Sequence, residues 1–271
     1  TYSWNDPLSQ TTTIATGLVE GTYVVTIIDV TGCTTTASST IMAAPLLVAS
    51  VSTSTDPSCN TVCDGSATVT ISGGTAPYTI LWDDPGTQTT ATAIGLCDGS
   101  YTGTVTDANG CTDTATVTLT EPLTLNVTTT MFPASCSGVC DGSIATSVAG
   151  GIAPYTYAWD DPSTQTTSTA SSLCAGGFNV TVTDANGCTS IISETVTEPA
   201  PLVSTVISIV GVSCNGVCDG YAEISVAGGT APLTYLWSNG QTTALAINLC
   251  GGALTVDITD AGGCTISDAV V

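Results

Sequence analysis

A set of four cysteines recurs three times in this chain with nearly fixed spacing, and this repeat is what most constrains the fold. The first set reads C-x3-C-x33-C-x13-C, the second copies it unchanged, and the third shortens only the middle gap, to x31. Successive sets begin 77 and then 78 residues apart, so the chain consists of tandem copies of one unit. The three sets are Cys59, Cys63, Cys97 and Cys111; Cys136, Cys140, Cys174 and Cys188; and Cys214, Cys218, Cys250 and Cys264.

Other motifs recur with the cysteines and divide the chain. Each full unit carries a Gly-Gly-x-Ala-Pro turn, then a short segment that ends in Trp, and later an Asp-Ala-x-Gly-Cys turn. Trp4 and Cys33 indicate that the chain opens partway through another copy, and we expect the protein to extend in both directions. The motifs predict a partial repeat at 1–45, repeats at 46–122 and 123–199, and a repeat at 200–271 that lacks its final strand.

Alternation of apolar and polar residues predicts short β-strands throughout. Tyr155, Tyr157 and Trp159 share one face of a segment, and Phe178 and Val180 share one face of another. No stretch shows sustained helical spacing. Six or seven short strands in a unit of about 77 residues predict an all-β fold of tandem immunoglobulin-like or PKD-like Greek-key sandwiches. Because the repeats are joined through Glu-Pro rather than flexible Gly/Ser linkers, they should form an extended rod.

The charge balance excludes several functions. The chain has 22 Asp and Glu but no Lys, Arg or His, and its net charge is -22. This charge repels phosphate and anionic lipid, so we expect neither nucleic-acid binding nor direct membrane insertion, and no long apolar run suggests a span. Without His, Lys or Arg, the common general bases, Schiff-base amines and phosphate clamps are missing. The sequence therefore predicts that the protein is not an enzyme.

Paired carboxylates are the one catalytic candidate to weigh. Asp83–Asp84 recurs as Asp160–Asp161, and two carboxylates can act as acid and base. Adjacent residues in a turn diverge, so a solvated turn is the favoured interpretation. The last repeat replaces the pair with Ser238–Asn239 and therefore does without it. No catalytic residue is predicted.

Thirteen cysteines indicate an oxidising, extracellular compartment. Zinc is the alternative, but all-cysteine zinc sites more often use matched C-x2-C pairs, so disulfides are favoured. Calcium is a stronger metal candidate, because the turns offer hard oxygen donors. The same Asp-Ala-Asn-Gly sequence is also a good hairpin turn, which is the favoured interpretation, and no other cofactor is expected. The calcium candidates are Asp64, Asp107, Asn109, Asp141, Asp184, Asn186 and Asp219.

Taken in order, the motifs resemble the SprB-type repeat of gliding-motility adhesins and related surface proteins of Bacteroidota. The order runs Asp-Gly-Ser, Gly-Gly-x-Ala-Pro-Tyr, Trp, Gln-Thr-Thr, Leu-Cys-x-Gly and Val-Thr-Asp-Ala-Asn-Gly-Cys, and it covers essentially the whole chain. The resemblance implies export by type IX secretion, display at the outer membrane on the cell surface, and a role in adhesion or as a stalk. It carries over no catalytic residue.

Four cysteines in a unit allow three pairings. In the partial repeat, Val19 replaces the third cysteine while the fourth, Cys33, is kept, so a third-to-fourth bridge with its first-to-second companion is disfavoured. The resemblance implies an outer pair and an optional inner pair, because the family repeat usually holds only the first and last cysteines. It predicts the outer bridges Cys59–Cys111, Cys136–Cys188 and Cys214–Cys264, the inner bridges Cys63–Cys97, Cys140–Cys174 and Cys218–Cys250, and a Cys33 bonded upstream of Thr1.

Two roles follow from these expectations. In the first, the chain is the non-catalytic repeat region of a long adhesin, either a disulfide-stapled stalk or an adhesive fibre that contacts polysaccharide or other cell-surface material. In the alternative, it is a structural subunit of an extracellular filament or sheath without a ligand. Nearly all aromatic residues except Tyr221 fall on predicted core faces, which leaves little surface for stacking on sugars. The sequence thus favours a spacer whose partners are neighbouring repeats of the same chain.

Overall fold

Every regular element of the protein is a β-strand. The computed structural model describes residues 1–271, and it contains no helix long and apolar enough to cross a membrane. The partial repeat holds three strands, and each of the ranges 46–122, 123–199 and 200–271 holds six.

The strands of the first half of the chain are β1 (Tyr2–Trp4), β2 (Gly21–Ile28), β3 (Thr34–Ile41), β4 (Val48–Thr55), β5 (Gly65–Ser72), β6 (Thr79–Trp82), β7 (Thr92–Leu96), β8 (Gly99–Thr106) and β9 (Thr112–Leu119). Those of the second half are β10 (Asn126–Phe132), β11 (Gly142–Ala149), β12 (Thr156–Trp159), β13 (Thr169–Leu173), β14 (Gly176–Thr183), β15 (Thr189–Val196), β16 (Val203–Val210), β17 (Gly220–Ala227), β18 (Thr234–Trp237), β19 (Leu245–Leu249), β20 (Leu254–Thr259) and β21 (Thr265–Val270).

Each full repeat forms two antiparallel three-stranded sheets. In the range 123–199 the sheet orders are β10-β11-β13 and β12-β14-β15, and the other full repeats have the same topology. This is the order of strands A-B-E and C-F-G of an immunoglobulin sandwich without strand D. The prediction of tandem immunoglobulin-like Greek-key sandwiches is confirmed.

The core of each sandwich forms around the Trp that ends its third strand. Trp82, Trp159 and Trp237 are buried, and the indole Nε1 of Trp159 donates a 2.9 Å hydrogen bond to the carbonyl of Thr167. Residues that alternate along the strands pack against it, such as Val180 on β14. The period-two pattern of the sequence therefore marks the buried face, as expected for strands with one face on the core.

The partial repeat consists of one sheet, and the last repeat is fuller than predicted. Strands β1-β2-β3 correspond to the C-F-G sheet, with Trp4 on β1. The prediction that 200–271 lacks its final strand is wrong, because β21 pairs with β20 over Thr265–Val270. It has six residues where β15 has eight.

The chain divides into two compact units. One comprises 1–57 and 61–121, and the other comprises 58–60 and 122–271. The short segment Ser58–Asn60, which contains Cys59, therefore belongs with the repeats at 123–199 and 200–271.

Candidate functional site: cysteine bridges and aspartate turns

Three disulfides close loops inside the repeats. In the repeat at 123–199, Cys140 lies in the loop between β10 and β11, and Cys174 lies between β13 and β14, with their Cα atoms 3.9 Å apart. The structure bonds the same inner pairs that the sequence predicts. They are Cys63–Cys97, Cys140–Cys174 and Cys218–Cys250.

Two further disulfides join one repeat to the next. Cys59 bonds Cys188, 129 positions along the chain, and Cys136 bonds Cys264, 128 positions along. Their Cα atoms lie 5.7 and 5.6 Å apart. In each, the first cysteine of one repeat bonds the fourth cysteine of the following repeat. The predicted outer bridges Cys59–Cys111, Cys136–Cys188 and Cys214–Cys264 are therefore wrong, and Cys33, Cys111 and Cys214 are exposed free thiols.

The reason lies in the placement of two loops in the sandwich. Cys136 shares its loop with Cys140, which the inner bridge draws to the start of β14. Cys188 follows the other end of β14, a strand of eight residues that spans roughly 26 Å at about 3.3 Å per residue. A disulfide requires Cα atoms within about 7 Å. Cys136 thus cannot reach the fourth cysteine of its own repeat.

A buried aspartate fixes the fourth cysteine of each full repeat. Asp184 closes the turn between β14 and β15, and its Oδ1 accepts 2.9 Å hydrogen bonds from the backbone N–H groups of Asn186 and Cys188. Its Oδ2 accepts another from the N–H of Ile152 in the Gly-Gly-x-Ala-Pro turn, at 2.9 Å. The carboxylate therefore ties two turns together at one end of the sandwich and holds Cys188 in place. Asp107 and Asp260 make the equivalent bonds to Cys111 and Cys264.

Polar contacts accompany the bridge between Cys59 and Cys188. The side-chain amide of Asn186 donates a 2.8 Å hydrogen bond to the carbonyl of Ser58, and Sγ of Cys188 lies 3.4 Å from the same oxygen. In the first full repeat, where Cys111 is free, the equivalent Asn109 donates instead to Oγ1 of Thr75. Asn186 thus bonds the neighbouring repeat's loop at the Cys59–Cys188 bridge, whereas Gly262 takes the place of this Asn at the Cys136–Cys264 bridge.

The glutamate that precedes the junction proline holds the other side of the bridge. Glu198 Oε2 accepts a 2.7 Å hydrogen bond from the N–H of Gly138, and its Oε1 accepts one from the hydroxyl of Ser137. Glu121 likewise accepts from the N–H of Thr61. The loop that carries the first cysteine is thereby fastened to the linker of its own repeat. In the sequence, Glu121 and Glu198 are recognisable only as part of the Glu-Pro junctions between repeats.

The turn carboxylates are stabilised in their ionised form. Burial raises the pKa of Asp184. Backbone hydrogen bonds, first from Ile152 and then from Cys188, lower this pKa by a larger amount, so the net pKa lies below the ordinary value. For Asp260, the hydrogen bond from the backbone N–H of Thr230 has the largest effect on the pKa and lowers it. Burial raises this pKa by less, so the net value lies below the ordinary one. These carboxylates act as hydrogen-bond acceptors that stay charged at neutral pH.

The other calcium candidates also serve local structure. Asp141 accepts hydrogen bonds from the N–H and the hydroxyl of Ser135, and Asp219 accepts one from the N–H of Ser213. Asp64 immediately precedes β5 and also has an interaction partner. No three His, Cys, Asp or Glu side chains lie close enough together to hold a metal ion.

The paired aspartates build a turn rather than a solvated surface. Asp84 is 4% exposed, and its carboxylate accepts hydrogen bonds from the N–H groups of Gly86 and Gln88 and from the Gln88 side chain. Burial raises the pKa of Asp84, but the hydrogen bonds lower it below the ordinary value. Asp83 instead accepts from the N–H of Thr102. The two carboxylates diverge as expected, but the prediction that the turn is solvated is wrong for Asp84 and for its buried counterpart Asp161.

Three segments of the chain match a known repeat family. The family model of the SprB repeat matches the chain three times, over residues 51–87, 128–164 and 206–242. Each match begins in the first strand of a repeat and ends just after its Trp. The chain therefore carries three SprB repeats, and the resemblance drawn from its motifs is confirmed.

The solved structures similar to the chain include a tandem repeat and arrays of immunoglobulin domains, all at low sequence identity. A tetra-tandem repeat from the extending region of a large adhesion protein is 17% identical, with a TM-score of 0.31 and coverage of 99% of this chain and 89% of that one. Immunoglobulin domains 1–5 of Sidekick-1 are 12% identical, with a TM-score of 0.31 and coverage of 99% and 72%. The eight N-terminal Ig domains of DSCAM are 10% identical, with a TM-score of 0.29 and coverage of 99% and 63%. No curated protein sequence matches the chain.

The fold and the repeat define a class. The chain is a tandem-repeat region of disulfide-bonded, immunoglobulin-like sandwiches. Within that class, it carries three segments that match the SprB repeat.

Proposed function

We propose that this chain is a stalk region of a secreted cell-surface adhesin, which separates an adhesive part from its anchor without binding a ligand itself. The observation that carries the proposal is the Cys136–Cys264 disulfide, which fastens one repeat to the next in addition to the peptide linker. Tandem sandwiches joined in this way suit a structure that keeps two ends apart under tension.

Surface chemistry supports a spacer over an adhesive fibre. The large aromatic side chains Trp82, Trp159 and Trp237 are buried in the cores, and so cannot stack on sugars. The exposed strand faces are rich in Thr and Ser, as in β3, and carry no basic residue. The exposed aromatic side chains of Tyr78, Phe132 and Tyr221 lie in three different repeats rather than in one cluster of a single repeat.

The disulfides also support a location outside the cytosol, because thiols stay reduced in most cytosols. Type IX secretion, display at the outer membrane and participation in gliding belong to the proposal through the SprB repeats. Antibodies raised against residues 46–199 should label intact cells of the producing organism. Labelling only after the cells are opened would contradict surface display.

The spacer role is tested by attaching the chain to beads through its N-terminus. One set of beads carries the chain alone, and the other carries the chain with a domain of known ligand fused after Val271. We expect only the second set to bind a ligand-coated surface, and neither set to bind polysaccharide or untreated cells. Capture of cells or polysaccharide by the chain alone would overturn the spacer role in favour of an adhesive fibre.

A further inference from the structure

The five disulfides connect the repeats by a covalent route much shorter than the backbone. The repeat at 123–199 is bonded to the preceding repeat at Cys188 and to the following repeat at Cys136. Between these two cysteines, the inner bridge Cys140–Cys174 provides a shortcut. A path through the repeat therefore runs from Cys188 to Cys174, across the bridge, and from Cys140 to Cys136.

We propose that this route, here called the covalent track, limits how far the repeats extend under tension. The track through one repeat contains about 18 residues, which span about 60 Å when fully extended, whereas 77 residues would span about 270 Å. Tension therefore passes through the track once it is taut. Strands β11, β12 and β13, which lie between Cys140 and Cys174, are excluded from it.

The two cysteines that connect the track to its neighbours lie at opposite ends of the sandwich. Cys136 lies in the loop fastened by Glu198, and Cys188 lies in the turn fastened by Asp184. Tension applied between these two cysteines therefore acts along β14 rather than across a single loop. The same carboxylates that organise these loops thus support the points at which tension enters and leaves the repeat.

The free thiols occupy the positions at which the track would continue. Cys214 corresponds to Cys136, which bonds the following repeat, and Cys111 corresponds to Cys188, which bonds the preceding repeat. Cys33 is the fourth cysteine of its own copy, and its bonding upstream of Thr1 stays a prediction. By this pattern, Cys214 is the attachment point for a following repeat, and Cys111 is the attachment point for the first cysteine of the repeat to which residues 1–45 belong.

Single-molecule stretching of the oxidised full chain tests the track directly. With peptide-tag handles at Thr1 and Val271, the shortest covalent route contains about 83 residues, so the fully stretched length should be about 290 Å. The reduced chain should reach about 950 Å. Bridges confined within repeats would instead leave about 116 residues and about 400 Å, and this length would overturn the proposal.

Paired Cys→Ser variants provide the control. Cys140→Ser with Cys174→Ser removes a bridge on the track and should lengthen the stretched chain to about 380 Å, as should Cys136→Ser with Cys264→Ser. Cys218→Ser with Cys250→Ser removes an equivalent inner bridge that lies off the track in this chain, so the length should stay near 290 Å. Equal lengths for the Cys140/Cys174 and Cys218/Cys250 variants would overturn the proposal. Because the bridges form only when the fold brings their cysteines together, non-reducing peptide mapping must first show that each variant keeps its remaining bridges.

Discussion

The backbone N–H of Cys188 donates a 2.9 Å hydrogen bond to Oδ1 of Asp184, so a buried carboxylate positions the cysteine that bonds Cys59 in the preceding repeat. The same carboxylate accepts a bond from Ile152 in a second turn. A local turn and a long-range covalent bond are thereby coupled through one side chain.

Replacing Asp184 with Asn should weaken this coupling. The Asn side chain would place an N–H₂ donor against at least one of the backbone N–H donors, and a buried donor without an acceptor destabilises the fold. We expect a lower melting temperature and a smaller fraction of molecules with the Cys59–Cys188 bridge, measured by calorimetry and by non-reducing peptide mapping. Asp107→Asn is the matched control, because the same turn is altered next to the free Cys111. A normal yield of the bridge in the Asp184 variant would argue against the positioning role.

Acid should destabilise the protein. Burial raises the pKa of Asp84 and of Asp161, but hydrogen bonds from backbone N–H groups lower each below its ordinary value, and the same holds for Asp184. A carboxyl group with a lowered folded pKa stabilises the fold above its unfolded pKa, and this contribution disappears as the pH falls through the folded value. The unfolded value lies near pH 4.

The melting temperature should therefore decrease when the pH is lowered to values below about 4. Thermal unfolding followed by circular dichroism from about pH 7 to about pH 2 measures this, with high salt to screen repulsion among the carboxylates. A melting temperature that is constant or rises across the acidic range would contradict the assignment.

The buried Trp159 should be a strong local determinant of stability. Its side chain is 4% exposed, and Trp159→Ala should destabilise the repeat at 123–199 by about 3 to 5 kcal/mol through lost burial and the cavity left behind. Ile191→Ala is the control in the same sheet, because Ile191 is 67% exposed and its truncation should change stability by at most about 0.5 kcal/mol. Hydrogen exchange of β12 and β14 measures both effects. Similar loss of protection in the two variants would show that Trp159 does not organise the core.

Calcium should have little effect on stability. The carboxylates of Asp107 and Asp184 already accept backbone hydrogen bonds at both oxygens, which leaves little capacity for a cation. Addition of calcium chloride, or of a chelator, should shift the melting temperature by less than about 1 °C. A rise of several degrees that the chelator reverses would establish a calcium site in these turns.

Much of the fold could be predicted from the sequence because period-two alternation and turn residues report directly on strands. The face shared by Tyr157 and Trp159 is the face that lies on the core, and Phe178 packs against that core from β14. The inner bridges could also be predicted, because the resemblance to the family repeat implies an optional inner pair such as Cys140–Cys174. The burial of the Asp84 carboxylate could not be predicted, since the sequence of a turn does not reveal whether its carboxylate faces inward.

The outer bridges were mispredicted because tandem copies are chemically equivalent. The spacing of Cys136 and Cys188 is the same whether Cys188 bonds its own repeat or the preceding one. A usable signal was nevertheless present. Once Cys140 and Cys174 are paired, the eight-residue strand β14 must carry Cys188 to the opposite end of the sandwich. Strand length, rather than cysteine spacing, decides the partner.

The disulfide map of the oxidised chain is the most direct test of the disulfides between repeats. The chain contains no Lys or Arg for trypsin, so digestion must use an enzyme that cleaves at acidic or apolar residues, under conditions that block thiol exchange. Alkylation before reduction should label three thiols, at Cys33, Cys111 and Cys214, and the digest should contain peptides joining Cys59 to Cys188 and Cys136 to Cys264. A single labelled thiol at Cys33, together with peptides joining Cys59 to Cys111 and Cys136 to Cys188, would contradict the inter-repeat bridges and the covalent track built on them.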